Sequence, residues 1–301
     1  MLMKTQATRI LAAVLVMAAL SSCSNEDNYK GNIAVVDNVP ISNELFAKQL
    51  DFYQKFYTHT YGEDYLDIEV ERGKTNNDIL QRELIDSMIK DQVMLNDLNN
   101  NKVKIDDSKA SSMRHDLENK LGGKDSLKAN MNALDLSENQ FNENLYVDSI
   151  RKIHYDYYLS HNDIKDSEIL EYYNDNPKYQ KMYKYNVLVF DDLNEANKVK
   201  SQISSANDFR NLLKASVKNY DVINSDFVYN DDIILTKSAV TEKDTVSDVF
   251  EYDGDYMILM VNSYNENENE LLINLKDLYL KENYEDYLNK LVKKSKIRQF
   301  S

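Results

Sequence analysis

The chain has 301 residues, 51 of them acidic against 36 basic, a formal net charge of −15, and only six Gly, two Pro and one Cys. So large an acidic excess argues against nucleic acid as a partner, because phosphate is held by Lys and Arg, and it gives no polybasic grip on anionic lipid. A single thiol excludes a disulfide framework and a Cys-rich metal site. Few Gly and Pro favour a helix-rich chain with little tight-turn chemistry, and the length allows one large or two modest domains at roughly 100–200 residues each.

The first residues carry Lys4 and Arg9, then an apolar run from Ile10 to Leu20, then Ser21-Ser22 and the only cysteine. This order predicts a signal peptide over 1–22. The run is too short for a transmembrane helix, which needs about 20 apolar residues. Leu20-Ser21-Ser22-Cys23 resembles the bacterial lipobox, so Cys23 is the expected lipid attachment site and new N-terminus. Removing residues 1–22 takes away Lys4 and Arg9 and no acid, changing the charge from −15 to −15 − 2 = −17. The alternative is an ordinary secretory signal with a chance cysteine. Residues 23–32 are polar and read as a lipidated tether.

The fold is expected to start at Ile33. Ile33–Val36 is an apolar β-prone run, Asp37-Asn38 supplies turn residues, and Val39-Pro40-Ile41 leads to Ser42, an N-cap for a helix running to about Thr58. Leu45, Phe46, Leu50, Phe52, Tyr53, Phe56 and Tyr57 form its broad aromatic stripe. Periodicity is lost over 61–77. A long helix is predicted over about 77–98, with Leu84, Ile85, Met88, Ile89, Met94 and Leu95 on its apolar face. Further helices follow at about 107–121, 124–133 and 137–160, the last opened by Ser137 with Gln140 three residues on. Asp166-Ser167 caps a short helix over 168–174, which Pro177 ends.

The pattern then changes. Tyr183–Phe190 reads as a strand, 193–204 and 208–215 as helices, 225–234 as irregular strands, and Tyr256–Val261 as a buried strand. After a polar break at 262–269 a final helix is predicted over about 272–297. The expected class is α+β, mostly α: a helical domain with a small α+β module inserted.

Four stretches carry a resemblance. Val35-Val36-Asp37-Asn38-Val39-Pro40-Ile41 with Leu45-Phe46, Leu84-Ile85-Asp86 with Met94-Leu95, Ile164-Lys165-Asp166-Ser167-Glu168-Ile169 through Tyr172-Tyr173 and Tyr179, and Asn207-Asp208-Phe209 to Leu212-Leu213 are similar, in that order, to the SurA/PrsA-type extracytoplasmic foldases. The resemblance implies a split SurA-N/trigger-factor-like helical chaperone domain (33–180 and 266–301) around a parvulin-type peptidyl-prolyl isomerase module (181–265). It also implies that active members place one histidine in the module's first strand and another in its last. Here Asn186 precedes Val187-Leu188-Val189, and Met257 follows Tyr256. His59, His115, His154 and His161 all lie outside the module, and the family's glycine-rich segment is absent, leaving Ser225-Asp226-Phe227. Asp221 is a lone candidate for the acidic position. The module is therefore expected to be degenerate, with no catalytic residues and with isomerase activity weak or lost.

The expected function is an ATP-independent foldase, lipid-anchored outside the cell membrane or facing the periplasm if the host has two membranes, that holds unfolded, newly translocated polypeptides; a homodimer stays open. Peptide-contact candidates are Phe52, Tyr53, Phe56 and Tyr57 and the run Tyr155, Tyr157, Tyr158, since aromatics bring contact area at low entropic cost. The bland alternative is that each is core. Asp106-Asp107, Asp191-Asp192 and Asp231-Asp232 lack the spaced ligands and Gly of a calcium loop, and His154 and His161 have no third ligand in the pattern, so no metal and no cofactor are expected. No phosphate loop or nucleophile elbow is present. The rivals are an active prolyl isomerase with an unusual site and a solute-binding or adhesion lipoprotein.

Overall fold

The computed structural model describes residues 30–71, 73–215 and 219–300. Cys23 and the predicted signal peptide and most of the tether lie outside them. The class is α+β and mostly α, as the sequence predicts. The chain divides into two units: one takes in the chain up to Arg151 together with Lys294–Ser301, the other is Lys152–Lys293. The boundaries fall within helices, at 151/152 and 293/294, whereas the sequence reading drew them at 180/181 and 265/266.

The first unit begins with strand β1 (Asn32–Val36), which turns through Asp37 and Asn38 into β2 (Val39–Ser42). Asp37 (φ 51°) and Asn38 (φ 71°) are both left-handed, as a two-residue hairpin turn requires. Pro40 pairs with Val35 in the outer strand, where its missing N–H removes no needed ladder bond. The sequence reading took 39–41 as a lead-in and missed this strand. On the other side of β1 lies β10 (Ile297–Gln299), antiparallel, with Val36 opposite Ile297 and Ala34 opposite Gln299. The predicted final helix over 272–297 therefore ends early, at Lys294, and a strand begins at its predicted last residue, Ile297. Ala34 and Val36 are fully buried.

Helix α1 (Asn43–Tyr61) starts where Ser42 accepts a hydrogen bond from the Leu45 N–H at 3.1 Å. A 3-10 turn over Glu63–Asp67 and the short hairpin β3 (Glu69–Glu71) and β4 (Lys74–Thr75) occupy the stretch without periodicity. Helix α2 (Asn76–Asn100) then opens on a reciprocal capping box, Thr75 accepting from the Asp78 N–H while the Asp78 carboxylate accepts from the Thr75 N–H. Helices α3 (Ser108–Leu121), α4 (Lys124–Ala133) and α5 (Glu138–His161) follow. Ser137 and Gln140 make the expected box in front of α5. Leu127, Met131, Phe141 and Leu145 form a buried cluster between the α4 and α5 segments.

In the second unit α6 (Asp166–Asp175) is preceded by Lys165, which supplies no side-chain cap; the expected Asp166-Ser167 cap does not form because both residues already lie at the helix start. The sheet is built on β5 (Met182–Phe190) against β9 (Asp255–Asn265), with β6 (Asp221–Asn224) and β7 (Val228–Tyr229) on the other edge of β5 and β8 (Phe250–Tyr252) beside β9, all antiparallel. Helices α7 (Leu193–Lys200) and α8 (Ala206–Lys214) put Ala196, Val199 and Phe209 on one sheet face, against Leu188, Phe190, Ile258 and Met260. Helix α9 (Ile233–Ser238) puts Leu235 on the other, against Tyr185, Val187 and Leu259. The predicted irregular strands over 225–234 are thus one two-residue strand, β7, and the start of this helix, nucleated by Asp232, whose carboxylate accepts from the Ile234 and Leu235 N–H groups. Helix α10 (Glu268–Lys294) buries Leu271 and Leu275 against Ile169 and Tyr173.

Replacing Thr75 with Ala is expected to cost about 1 kcal/mol, a fall of roughly 2–4 °C in the melting temperature of its unit, read by calorimetry. The Thr75 N–H and hydroxyl hold the Asp78 carboxyl below its ordinary value. Its contribution is therefore present above the carboxylate range and lost as acid protonates it, so the deficit of the variant must shrink on acidification; a deficit independent of pH contradicts the box.

Candidate functional site

Helix α1 has a long aromatic stripe and no buried residue. Along it and into the following 3-10 turn the rings touch in succession: Phe52–Tyr53 at 5.1 Å between centroids, Phe52–Phe56 at 6.4 Å, Phe56–Tyr57 at 5.7 Å, Tyr57–Tyr61 at 5.9 Å and Tyr61–Tyr65 at 4.7 Å. Phe56 is 41% exposed and Leu45 40%, while Phe52, Tyr53 and Tyr57 are half-buried. Burial raises the Tyr53 and Tyr57 hydroxyls above the ordinary tyrosine value, so both stay neutral donors near pH 7.

Beside α1 lies a cavity of about 160 Å³. Phe52 and Tyr53 of α1, Leu117 of α3, Leu136, and Phe141 and Leu145 of α5 give it an apolar lining, with Gln49, Asn144, Asp148 and Arg151 as polar members. The α1 rings are visible in the sequence but the opposing wall is not, because only packing brings Leu117, Leu136, Phe141 and Leu145 up to α1.

Two of the polar members, Arg151 and Asp148, belong to one hydrogen-bonded network. Arg151 Nε and an Nη donate to the two Asp91 carboxylate oxygens, each at 2.7 Å, and other Nη donors reach Ser87 at 3.0 Å and Asp148 at 3.0 Å. That pairing holds the guanidinium above its ordinary value despite burial. It ties α5 to α2 under the cavity. Arg114 stands over the Phe141 ring at 5.3 Å and bridges Glu118 and Glu138, keeping the Glu138 carboxyl below its usual range. Lys55 bridges Asp51 at 3.0 Å and Asp135 at 3.1 Å. A second, open hollow of about 350 Å³ on α5 is lined by Asp107, Asn139, Asn142, Glu143 and Tyr146.

The second aromatic group sits differently. Tyr158 is buried, and it packs on Tyr284 and Tyr287 at 5.3 and 5.1 Å; Tyr155 meets the Tyr284 ring edge-on at 4.9 Å. Tyr157 stacks near His161 at 4.2 Å. His154 is fully buried, its Nδ1 2.8 Å from the Tyr284 hydroxyl. This cluster is packing within the second unit, and of the three only Tyr155 and Tyr157 keep partial exposure.

Asn186 and Met257 do not come together. Across the β5–β9 ladder Asn186 stands opposite Met260, whereas Met257 stands opposite Val189. Since side chains alternate along a strand, the two project from opposite sheet faces. Asn186 is nearly buried among Asn224, which accepts from its amide, and Asn262, which donates to its carbonyl. Met257 is 4% exposed, in the cluster with Leu235. Asp221, opposite Val189 on β6, is exposed.

The acidic pairs have local duties: Asp106 accepts from Ser108 and Lys104, Asp192 caps α7, Asp231 pairs with Lys178, and Asp232 also accepts from the Tyr185 hydroxyl. Among the described residues no group of three or more His, Cys, Asp or Glu side chains is placed to share a metal ion, and no helix is long and apolar enough to cross a membrane.

Arg151→Ala leaves the Asp91 carboxylate, only 15% exposed, without its partner. A loss of about 2–3 kcal/mol is expected, at the lower end for a broken buried pair because the arginine is one-third exposed. A double-mutant cycle with Asp91→Ala reads the coupling in denaturant melts, and a coupling near zero contradicts the account of this tie.

No protein-family model and no curated protein matches the sequence. Solved structures do. A SurA-like chaperone of Campylobacter jejuni is 17% identical over 90% of this chain and 99% of its own, with a TM-score of 0.43. The foldase protein PrsA of Lactococcus lactis is 12% identical over 89% and 94%, with a TM-score of 0.40. The foldase protein PrsA of Streptococcus pneumoniae is 9% identical over 84% and 88%, with a TM-score of 0.37. At these values the function of those proteins does not transfer through the superposition.

Proposed function

We propose that the chain is an extracytoplasmic folding factor that holds unfolded exported polypeptides without nucleotide, tethered to the membrane through acyl chains on Cys23. The helical parts supply the binding surface and the sheet-containing module serves as a scaffold. The observation that carries the reading is α1, a 19-residue helix whose aromatic stripe is nowhere fully covered and which borders an apolar cavity. A side chain of a passing polypeptide gains contact area there, whereas a folded protein with its apolar groups already buried has nothing to offer. The cavity holds about one large side chain, so binding is by single anchors along an extended segment.

Isomerase activity is weak or lost in this reading. A parvulin-type site needs its polar groups around one proline pocket, and Asn186 and Met257 lie on opposite faces of the sheet, both packed into its layers. For the same reason changing both Asn186 and Met257 to His does not create a shared site, and prolyl-peptide exchange is expected to stay at or near the uncatalysed rate in the natural chain and in that variant.

Excess chain should suppress aggregation of an unfolded client, and the Phe52→Ala and Phe56→Ala changes should each weaken client binding roughly fivefold, about 1 kcal/mol, with helix content unchanged. Absence of any suppression at stoichiometric excess contradicts the reading. Cys23→Ala should move the protein from the membrane to the soluble fraction; retention in the membrane contradicts the lipid tether.

A further inference from the structure

We propose that the α1 groove selects among unfolded segments by charge, taking those in which Lys or Arg flanks an aromatic or aliphatic residue and discriminating against those flanked by Asp or Glu. This rests on the reading of the groove as a polypeptide-binding site and adds what that site prefers. The apolar lining alone is blind to charge, so the preference must come from the groups around it.

The cations there are already occupied. Arg151, which lines the cavity, spends four of the five guanidinium N–H donors on Asp91, Ser87 and Asp148. Lys55, one turn from Phe52 on α1, is shared by Asp51 and Asp135. A carboxylate arriving on a ligand finds one N–H left on each, beside protein carboxylates whose charge already offsets that cation.

An arriving cation meets the opposite situation. The carboxylates of Asp51, Asp135 and Asp148 are 51%, 91% and 50% exposed, and each oxygen pair accepts more bonds than its present partner fills. An ammonium or guanidinium over the exposed ring of Phe56 gains a further attraction from the ring quadrupole. The formal charge of −15 extends the same bias beyond contact, within a Debye length.

The chain contains no Trp, so a Trp in a ligand is the only indole emitter. The full chain is titrated into two Trp-containing peptides with one aromatic-aliphatic centre, flanked by Lys in one and by Glu in the other. The Lys-flanked peptide is expected to bind about tenfold tighter at low salt, the gap closing to about twofold or less near 0.5 M salt as screening removes it. The Asp51→Asn/Asp135→Asn pair is expected to narrow the low-salt gap from both sides, weakening the Lys-flanked peptide and, by freeing Lys55, strengthening the Glu-flanked one. Equal affinities at low salt, or the reverse order, overturn charge selection while leaving the groove a polypeptide site. No binding of either peptide overturns both. The salt series on the unaltered chain decides the matter if the double variant does not fold.

Discussion

The first unit depends on the pairing of β1 from both sides. Asn32–Val36 is hydrogen-bonded to β2 immediately after it and to β10 from the far end of the described chain. The Lys296 N–H donates to the Asp37 carboxylate at 2.8 Å, the Asp37 N–H to the Lys296 carbonyl at 3.0 Å, and the Phe300 N–H to the Ile33 carbonyl at 2.8 Å. These bonds close a loop of some 260 residues, whose entropic cost grows only slowly with length. The cost in time is larger, because non-local pairing is slow to form. The arrangement also covers the β1 edge, which would otherwise offer a template for strand addition.

From this sheet the chain enters α1, and the contrast between the two is what makes a site. The strand buries Ala34 and Val36 completely, while the helix that follows buries nothing completely. An aromatic helix left half-covered loses the free energy that full burial of each ring would supply. The Arg151–Asp91 tie between α5 and α2 compensates in rigidity, holding the opposite wall of the groove in place without filling it. The acidic surface limits self-association through that exposed stripe, since like charges repel, so apolar exposure and net negative charge work together.

Most helices were legible because each repeats its apolar residues at helical spacing over ten or more positions. The missed strands are short, and one of them owes its existence to a distant partner. Ile297-Arg298-Gln299 is too brief to show alternation, and only β1 makes it a strand. Val39-Pro40-Ile41 contains a proline that argues against a strand unless it lies at an edge, which the sequence does not reveal. The β8–β9 hairpin was readable and passed over: Asp253-Gly254, both left-handed, is a strong two-residue turn signal. At the site the α1 rings were visible as a stripe, but their exposure was not, since it depends on what α3 and α5 fail to cover. The separation of Asn186 from Met257 needed the β5–β9 register, which composition and spacing along one strand do not contain.

The central claim is that the α1 groove contacts polypeptide only when it is unfolded. It is tested most directly by placing a photo-crosslinking residue at Phe56 and irradiating the chain with one client protein, unfolded in one sample and native in the other, then mapping the adducts by mass spectrometry. Crosslinks from position 56 to the unfolded client and none to the native one are the predicted result. Equal crosslinking to both, or none to the unfolded client while it is held in solution by the chain, would contradict the account.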